Sequence, residues 1–256
     1  KEPLKISILV PTRGRPENVR RLIDSIRDTA EEYPEIVLYV DEDDPENSHF
    51  ELGCHDVITG IGAFKVIRGP RITLSQCWNE CAKVATGDIL MHAGDDIVFQ
   101  TKHWDVMVKN AFRAVPDKII FAHGDDGLWG KKFGTHGFIH RKWVETVGYL
   151  VPPYFSSDWN DTWLNEVANA LTRRVYLPIK TEHFHPLIKD ANGNPKAEWD
   201  KTHLERLERH KADRVDELYA SKAAERQADV EKLRAVIEAA KNTAVTTEHK
   251  EELVGA

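Results

Sequence analysis

Cysteine is scarce in this chain, with three among 256 residues. Cys54, Cys77 and Cys81 match no metal-ligand spacing, and an odd, sparse set suits a reducing compartment better than a disulfide framework. Cys77 and Cys81 stand four apart, so on a helix they share one face, which reads as core packing. No apolar run reaches the roughly 18 residues of a membrane span. No secretory leader is visible at Lys1, so a cytoplasmic location is expected. Excess positive charge is also missing. The formal net charge is −7, which speaks against a large nucleic-acid surface while leaving room for a local basic groove. Internal repeats are absent. What remains is 41% hydrophobic and 30% charged, the composition of a globular chain long enough for one large domain or a domain with an appendage.

The first segment, Lys5 to Val10, alternates and then runs apolar, as a strand does when it enters a core. Pro11-Thr12-Arg13-Gly14-Arg15 breaks it. Pro16 then sits where a first helical residue would, and Val19, Leu22, Ile23 and Ile26 follow at helical spacing. Glu35 to Val40 is a second buried strand that ends in acids at Asp41. Strand, helix, strand in this order predicts a parallel pair with a right-handed crossover. A short strand over 64–67, a helix over 74–84 closed by Gly87, a strand over 88–92, a helix over 104–114 and a strand over 118–122 continue the alternation. The fold expected is a doubly wound α/β sheet, whose ligands sit beyond the carboxyl ends of the strands. The turns at Pro11, Asp41 and Asp95 should therefore line one crevice. Beyond Asp200 the chain is highly charged but nearly balanced. Two amphipathic stripes, Leu204, Leu207, Val215 and Leu218, then Val230, Leu233 and Ile237, predict helices, and the last dozen residues read as frayed.

Asp95 and Asp96, paired beside Gly94 at a strand end, are of the type that holds a hard divalent cation. Such a pair serves equally well in an Asx turn. The surrounding context favours the cation. Asn79, Gly87-Asp88-Ile89-Leu90-Met91-His92 and Ala93-Gly94-Asp95-Asp96-Ile97 together resemble the DxD region of family 2 and related GT-A glycosyltransferases. Ile8-Leu9-Val10-Pro11-Thr12-Arg13-Gly14-Arg15-Pro16 is similar to their first strand and turn, and Ile36 to Glu42 to their second strand. The resemblance covers about residues 5–186, with traits shared with the type encoded by tailed phages. It implies a GT-A fold, a Rossmann-like, mostly parallel sheet flanked by helices. Residues 1–123 would form the nucleotide-sugar half and 124–199 the acceptor half, with 200–256 a C-terminal helical extension.

Site roles follow from the resemblance. Pro11, Thr12, Arg13 and Arg15 would meet the nucleotide, and Asp41 would accept a hydrogen bond from its base. Arg71 would lie near the diphosphate, and Asn79 would face the sugar nucleotide. Many relatives carry an acid where this chain has Ala93, which makes Asp95 the metal ligand. Others use an acid-Asp-Asp run, which puts Gly94 in the acid's place, Asp95 toward the ribose and Asp96 on the metal. Both registers stay open. Tyr154 to Leu164 resembles an acceptor-side motif, with Asp161 as first choice for catalytic base and Asp158 as second. Ser157 or Asp158 could instead cap a helix. Glu182-His183-Phe184-His185-Pro186 offers two histidines on one side of an extended segment, where relatives place a further metal ligand. His185, before Pro186, is the first choice and His183 the second. His136, Trp129, Trp159 and Trp163 form a candidate platform for a sugar or base.

The function expected is metal-dependent transfer, with Mn²⁺ or Mg²⁺, from a nucleotide diphosphate sugar, UDP-linked in the first instance, with inversion. The acceptor could be a modified DNA base, a protein or a saccharide. DNA would require Arg141, Lys142, Arg173 and Arg174 to gather at the crevice mouth. A homodimer through the C-terminal helices is compatible with their stripes, and a phage enzyme would work in the host cytoplasm. A non-catalytic binding module and a sugar nucleotidyltransferase are the alternatives. The latter lacks its usual glycine-rich phosphate loop here.

Overall fold

The computed structural model describes residues 3–46 and 64–254, with side chains given as far as 243. Cys54 lies outside the described residues. Strand β1 (Ile6–Thr12) is buried along almost its whole length and is followed by helix α1 (Pro16–Thr29), with Pro16 at its start and Val19, Leu22, Ile23 and Ile26 buried. Strand β2 (Glu35–Asp41) pairs with β1 in parallel, and β3 (Phe64–Gly69) pairs with β2 in parallel. Helix α2 (Leu74–Val84) opens with a capping box between Thr73 and Gln76 and buries Cys77, Trp78 and Cys81, which satisfies its first free amides. Strand β4 (Ile89–His92) joins the other edge of β1 in parallel.

Past this parallel core the directions change. The short strand β5 (Ile97–Phe99) leads to helix α3 (Trp104–Arg113), and β6 (Phe121–Asp125) follows. The reading of a strand over 118–122 is corrected. Lys118 is left-handed at φ 65° and the Asp117 carboxylate accepts from the Ile119 amide, so a turn occupies those residues and the strand begins later. Strand β7 (Gly137–His140) lies antiparallel between β4 and β6 and runs into helix α4 (Arg141–Val147). After helix α5 (Asn160–Ala170), strand β8 (Arg174–His183) pairs in parallel with β6 and antiparallel with β5. The order among the described residues is β3-β2-β1-β4-β7-β6-β8-β5. This is the mostly parallel, helix-flanked α/β sheet that the sequence predicts.

Alternation along the strands splits the core in two. Ile8, Val10, Leu38 and Val40 face α1 and α3, while Leu9, Val37 and Tyr39 face α2 and the C-terminal helices. Those helices are α6 (Lys201–Ala212), α7 (Val215–Ser221) and α8 (Ala223–Val254). The stripe Val230, Leu233 and Ile237 is buried in the second core cluster, and α8 packs on α4 and α5. Asp229 accepts hydrogen bonds from the Tyr149 hydroxyl and from Trp163 Nε1, the latter at 3.0 Å. The backbone stays helical to Val254, which corrects the frayed reading of the last dozen residues. No helix among the described residues is long and apolar enough to cross a membrane.

Candidate functional site

A cavity of about 550 Å³ opens at the carboxyl ends of β1, β2 and β4, within the range of small-molecule sites. Pro11, Thr12, Arg13, Arg15, Asp41 and Arg71 line it, and so do Gly94, Asp95, Asp96, Asp158, Asp161, His183 and His185. The crevice expected from the strand-end turns is therefore present.

Three side chains converge at its floor. Asp96, His136 and His183 each bring a ligand-type atom within 4.8 Å of the others. The antiparallel strands cause this convergence. Opposite the end of β4, His92 pairs with Gly137, which brings His136 beside Asp96. Across β5 and β8, Ile97 pairs with His183, and the Phe184 amide donates to the Asp96 carbonyl at 2.8 Å. Gly94 leaves the room the cluster needs. A Cβ there would stand 2.5 Å from Asp96 Oδ1 and 3.1 Å from His136 Nε2.

The electrostatics suit a cation. Burial raises the Asp96 carboxyl, but the hydrogen bond and charge of His183 outweigh it, so Asp96 is held below the ordinary carboxylate range. Burial, then the neighbouring His183, pushes His136 down to about 3, which keeps it neutral with a free lone pair. His136 Nδ1 is buried without a partner among the described residues. Burial disfavours a charged His183, yet hydrogen bonds to Asp126 and Asp96 lift it to about 9. Its Nδ1 lies 2.9 Å from Asp126 Oδ2 and its Nε2 3.3 Å from Asp96 Oδ2. One carboxylate and two imidazoles, with a carboxylate behind one of them, form a donor set that Mn²⁺ accepts.

His185 is placed differently from the first choice made on sequence. It stands outside this cluster, its ring edge-on to His203 at 5.0 Å, and its Nδ1 accepts from the Leu187 amide. The reason is the length of β8. The strand continues through His183, so pairing with β5 aims His183 at Asp96 and leaves His185 past the strand end. Asp95 also turns away from the cluster. It accepts from Thr12 Oγ1 at 2.7 Å and pairs with Arg15 at 3.3 Å. Its carboxyl is raised, by burial first, against the pull of Arg15. Asp96 thus joins the histidine cluster, and Asp95 faces Thr12 and Arg15.

At the β2 end, Arg13 bridges Asp41 at 3.0 Å and Asp43 at 2.5 Å. Arg71 pairs with Glu205 of α6, and Arg15 with Asp200 at 2.6 Å. Asp161, in the first turn of α5, has a different setting. Ser75 Oγ donates to Asn160 Oδ1 at 2.8 Å and fixes the start of α5 against α2. Burial lifts the Asp161 carboxyl to about 6, against a hydrogen bond from the Thr162 amide. Asp158, by contrast, is held by Arg206 and His210, each at 2.6 Å. Neither Ser157 nor Asp158 caps α5. Trp159, left-handed at φ 73°, occupies that position without a side-chain cap.

Several expected residues lie elsewhere. The Asn79 amide accepts from the Leu150 and Val151 amides at 2.8 and 3.2 Å and is not in the cavity lining. Trp163 is buried in the core and Trp159 stacks on Tyr219, so only Trp129 of the three tryptophans, 52% exposed, borders the cavity. Arg141 donates to the Ala85 and Gly87 carbonyls, Arg173 pairs with Asp117, and Arg174 donates to the Lys132 carbonyl. With Lys142 they are absent from the lining, so these four side chains do not gather in the cavity. Sequence reading missed Asp126 entirely, although the Asp125-Asp126 pair stands at the end of β6. It placed His136 in a platform for a sugar or base, whereas the structure brings His136 beside Asp96 and His183.

The chain is similar to known proteins. The chain is 29% identical over 177 residues to the O-antigen biosynthesis protein RfbC of Myxococcus xanthus, a match that covers 66% of this chain and 14% of that protein. The mannosyltransferase PcManGT from Pyrobaculum calidifontis, solved with GDP-Man and Mn²⁺, superposes with a TM-score of 0.57 at 14% identity, over 99% of this chain and 81% of that one. TarS 1–349 of S. aureus in complex with UDP gives 0.55 at 14% identity, over 94% and 92%. At these identities the two structures speak for the GT-A fold. These relatives carry no support for the phage resemblance. The profile of Glycosyl transferase family 2 matches residues 7–146, more than half of the chain, and the chain belongs to that family.

Proposed function

We propose that this family 2 enzyme, which uses a nucleotide sugar, transfers the sugar with inversion from a nucleoside diphosphate donor to an acceptor hydroxyl. The observation that carries this reading is one cavity lined by Asp96, His136 and His183, by Arg13, Arg15 and Asp41, and by Asp161.

Asp96, His136 and His183 would hold a divalent cation, Mn²⁺ or Mg²⁺. When bound, such an ion supplies countercharge for a departing diphosphate. The chain's own groups do the rest. Pro11, Thr12 and Arg13 border the nucleotide end, and Asp41 accepts from the base once Arg13 yields its contact. Arg15 orients Asp95 toward the ribose. Asp161 takes the proton of the acceptor hydroxyl as that oxygen bonds to the anomeric carbon. The carbon–oxygen bond to the diphosphate breaks, and its electron pair leaves with the phosphate. Asp161 suits this task because no cation among the described residues pairs with it and burial has raised its basicity toward working pH. Asp158 is less suited, since Arg206 and His210 occupy both of its oxygens.

UDP is the first donor nucleotide to test, with GDP second, because solved neighbours carry one or the other. The mixed surroundings of Trp129 fit a saccharide or a protein side chain as acceptor better than DNA. A panel of nucleotide sugars, assayed for hydrolysis and transfer with and without Mn²⁺, tests the reading. Metal-dependent turnover of one donor, lost in Asp161→Asn while donor binding persists, is the expected result. Donor binding without any turnover would favour a non-catalytic module. A product with retained configuration would remove the inverting role of Asp161.

A further inference from the structure

Helix α6 lies beyond the family-matched residues 7–146, yet it forms a wall of the cavity. Thr202, His203, Arg206 and Arg209 all line it, at offsets that put them on one helical face. From His203 to Arg209 the helix rises about 9 Å. One end of this face lies toward the cation cluster, where His203 Nδ1 stands 2.8 Å from Arg15 Nη2 and feels the charge of Asp96. At the other end, Arg209 lines the cavity together with Arg71 and with Asp41 at the carboxyl end of β2. The face therefore follows the line from cation to base on which a nucleoside diphosphate would lie.

Three ties hold α6 there. Asp200 grips Arg15 at 2.6 and 2.7 Å, Thr202 Oγ1 donates to the Arg13 carbonyl at 3.0 Å, and Glu205 pairs with Arg71. Each tie joins α6 to a residue of the nucleotide side. The cations of the face are incompletely matched. The Nε atoms of Arg206 and Arg209 and the Nε2 of His203 are buried without hydrogen-bond partners among the described residues. Burial and the nearby Arg71 both disfavour charge on Arg209. Guanidinium groups gathered around a cavity, with unused donors, fit a phosphate group, whose oxygens accept in the plane of the fork.

We propose that α6 belongs to the donor site and that Arg209, with Arg206 one turn before it, binds the diphosphate of the nucleotide. This rests on the nucleotide-sugar reading above.

The test is calorimetric titration of the full chain with UDP, GDP and the corresponding nucleosides, in EDTA so that no cation contributes. Arg209→Ala, Arg209→Lys and, as a control on the solvent side of α6, Glu208→Ala are compared with the native chain. Arg209→Ala should weaken the bound diphosphate about tenfold, the size of a lost charge-assisted hydrogen bond. Arg209→Lys should recover part of that loss, Glu208→Ala should bind as the native chain does, and nucleoside affinity should be unchanged. Equal diphosphate affinity in Arg209→Ala and the native chain overturns the proposal. A loss that is as large for the nucleoside as for the diphosphate also overturns it, by placing Arg209 on the base. A native chain that binds no nucleotide, with or without Mn²⁺, instead overturns the nucleotide-sugar reading itself.

Discussion

His183 Nδ1 donates to Asp126 Oδ2 at 2.9 Å, which turns its Nε2 toward Asp96. A carboxylate behind a ligating imidazole fixes its tautomer and ring orientation and raises its basicity. Asp126→Ala should therefore lower Mn²⁺ affinity about 10- to 100-fold, read by titration calorimetry, while the circular dichroism spectrum is preserved. Unchanged affinity would mean that Asp126 plays no part in orienting His183.

The two histidines at the end of β8, His183 within it and His185 just past it, make a sharp comparison. His183→Ala and His136→Ala should each abolish the thermal stabilisation given by Mn²⁺ with nucleotide, and His185→Ala should leave most of it. Burial pushes His185 down to about 4, so it stays neutral at working pH and does not repel the cation. If His185→Ala alone removes the stabilisation, the ligand set is Asp96 with His185.

Asp161 gives a signature in pH. Its carboxyl is raised by burial to about 6, from about 3.9 in an unfolded chain. Only the carboxylate accepts a proton, so kcat should fall about tenfold per pH unit below about 6. Stability should follow the same group. Above pH 6 the folded state holds a buried charge that the unfolded state solvates, and below pH 4 both states are protonated. Asp161→Asn should thus raise Tm at pH 8 and leave it unchanged near pH 4. A gain of equal size at both pH values would contradict the burial cost of the charge.

Asp229 anchors α8 by accepting from Tyr149 and Trp163. Asp229→Ala leaves both donors unpaired and should cost about 2 to 4 kcal/mol in urea unfolding, with Asp229→Asn milder. A cost below about 0.5 kcal/mol would show that the apolar face of α8, Val230, Leu233 and Ile237, suffices to hold it.

Sequence and structure agree where local patterns decide. The runs in β1, β2 and β4 are apolar on both faces because helices cover both sides of the sheet, and such runs stand out in any window. Their polar ends fall at one edge by topology, so the cavity was legible through Pro11, Asp41 and Asp95. The candidate metal cluster was only half legible. Asp96 and His183 sit in recognisable surroundings, but His136 reaches them through the antiparallel β4–β7 pairing and Asp126 through the parallel β6–β8 pairing. Strand β5 has three residues, too few for any period to appear. Helix α6 was legible as a helix. Its place over the cavity depends on Asp200 meeting Arg15, a contact 185 positions apart in sequence, and no amphipathic stripe encodes that.

If the cavity at the carboxyl ends of β1, β2 and β4 is a cation-assisted nucleotide-sugar site, thermal stabilisation by UDP and GDP, with and without Mn²⁺, in the native chain and in Asp96→Ala will show it. One nucleotide should raise Tm, Mn²⁺ should enlarge the rise, and Asp96→Ala should remove the enlargement. A folded native chain whose Tm moves with neither nucleotide, whether or not Mn²⁺ is present, would contradict that reading.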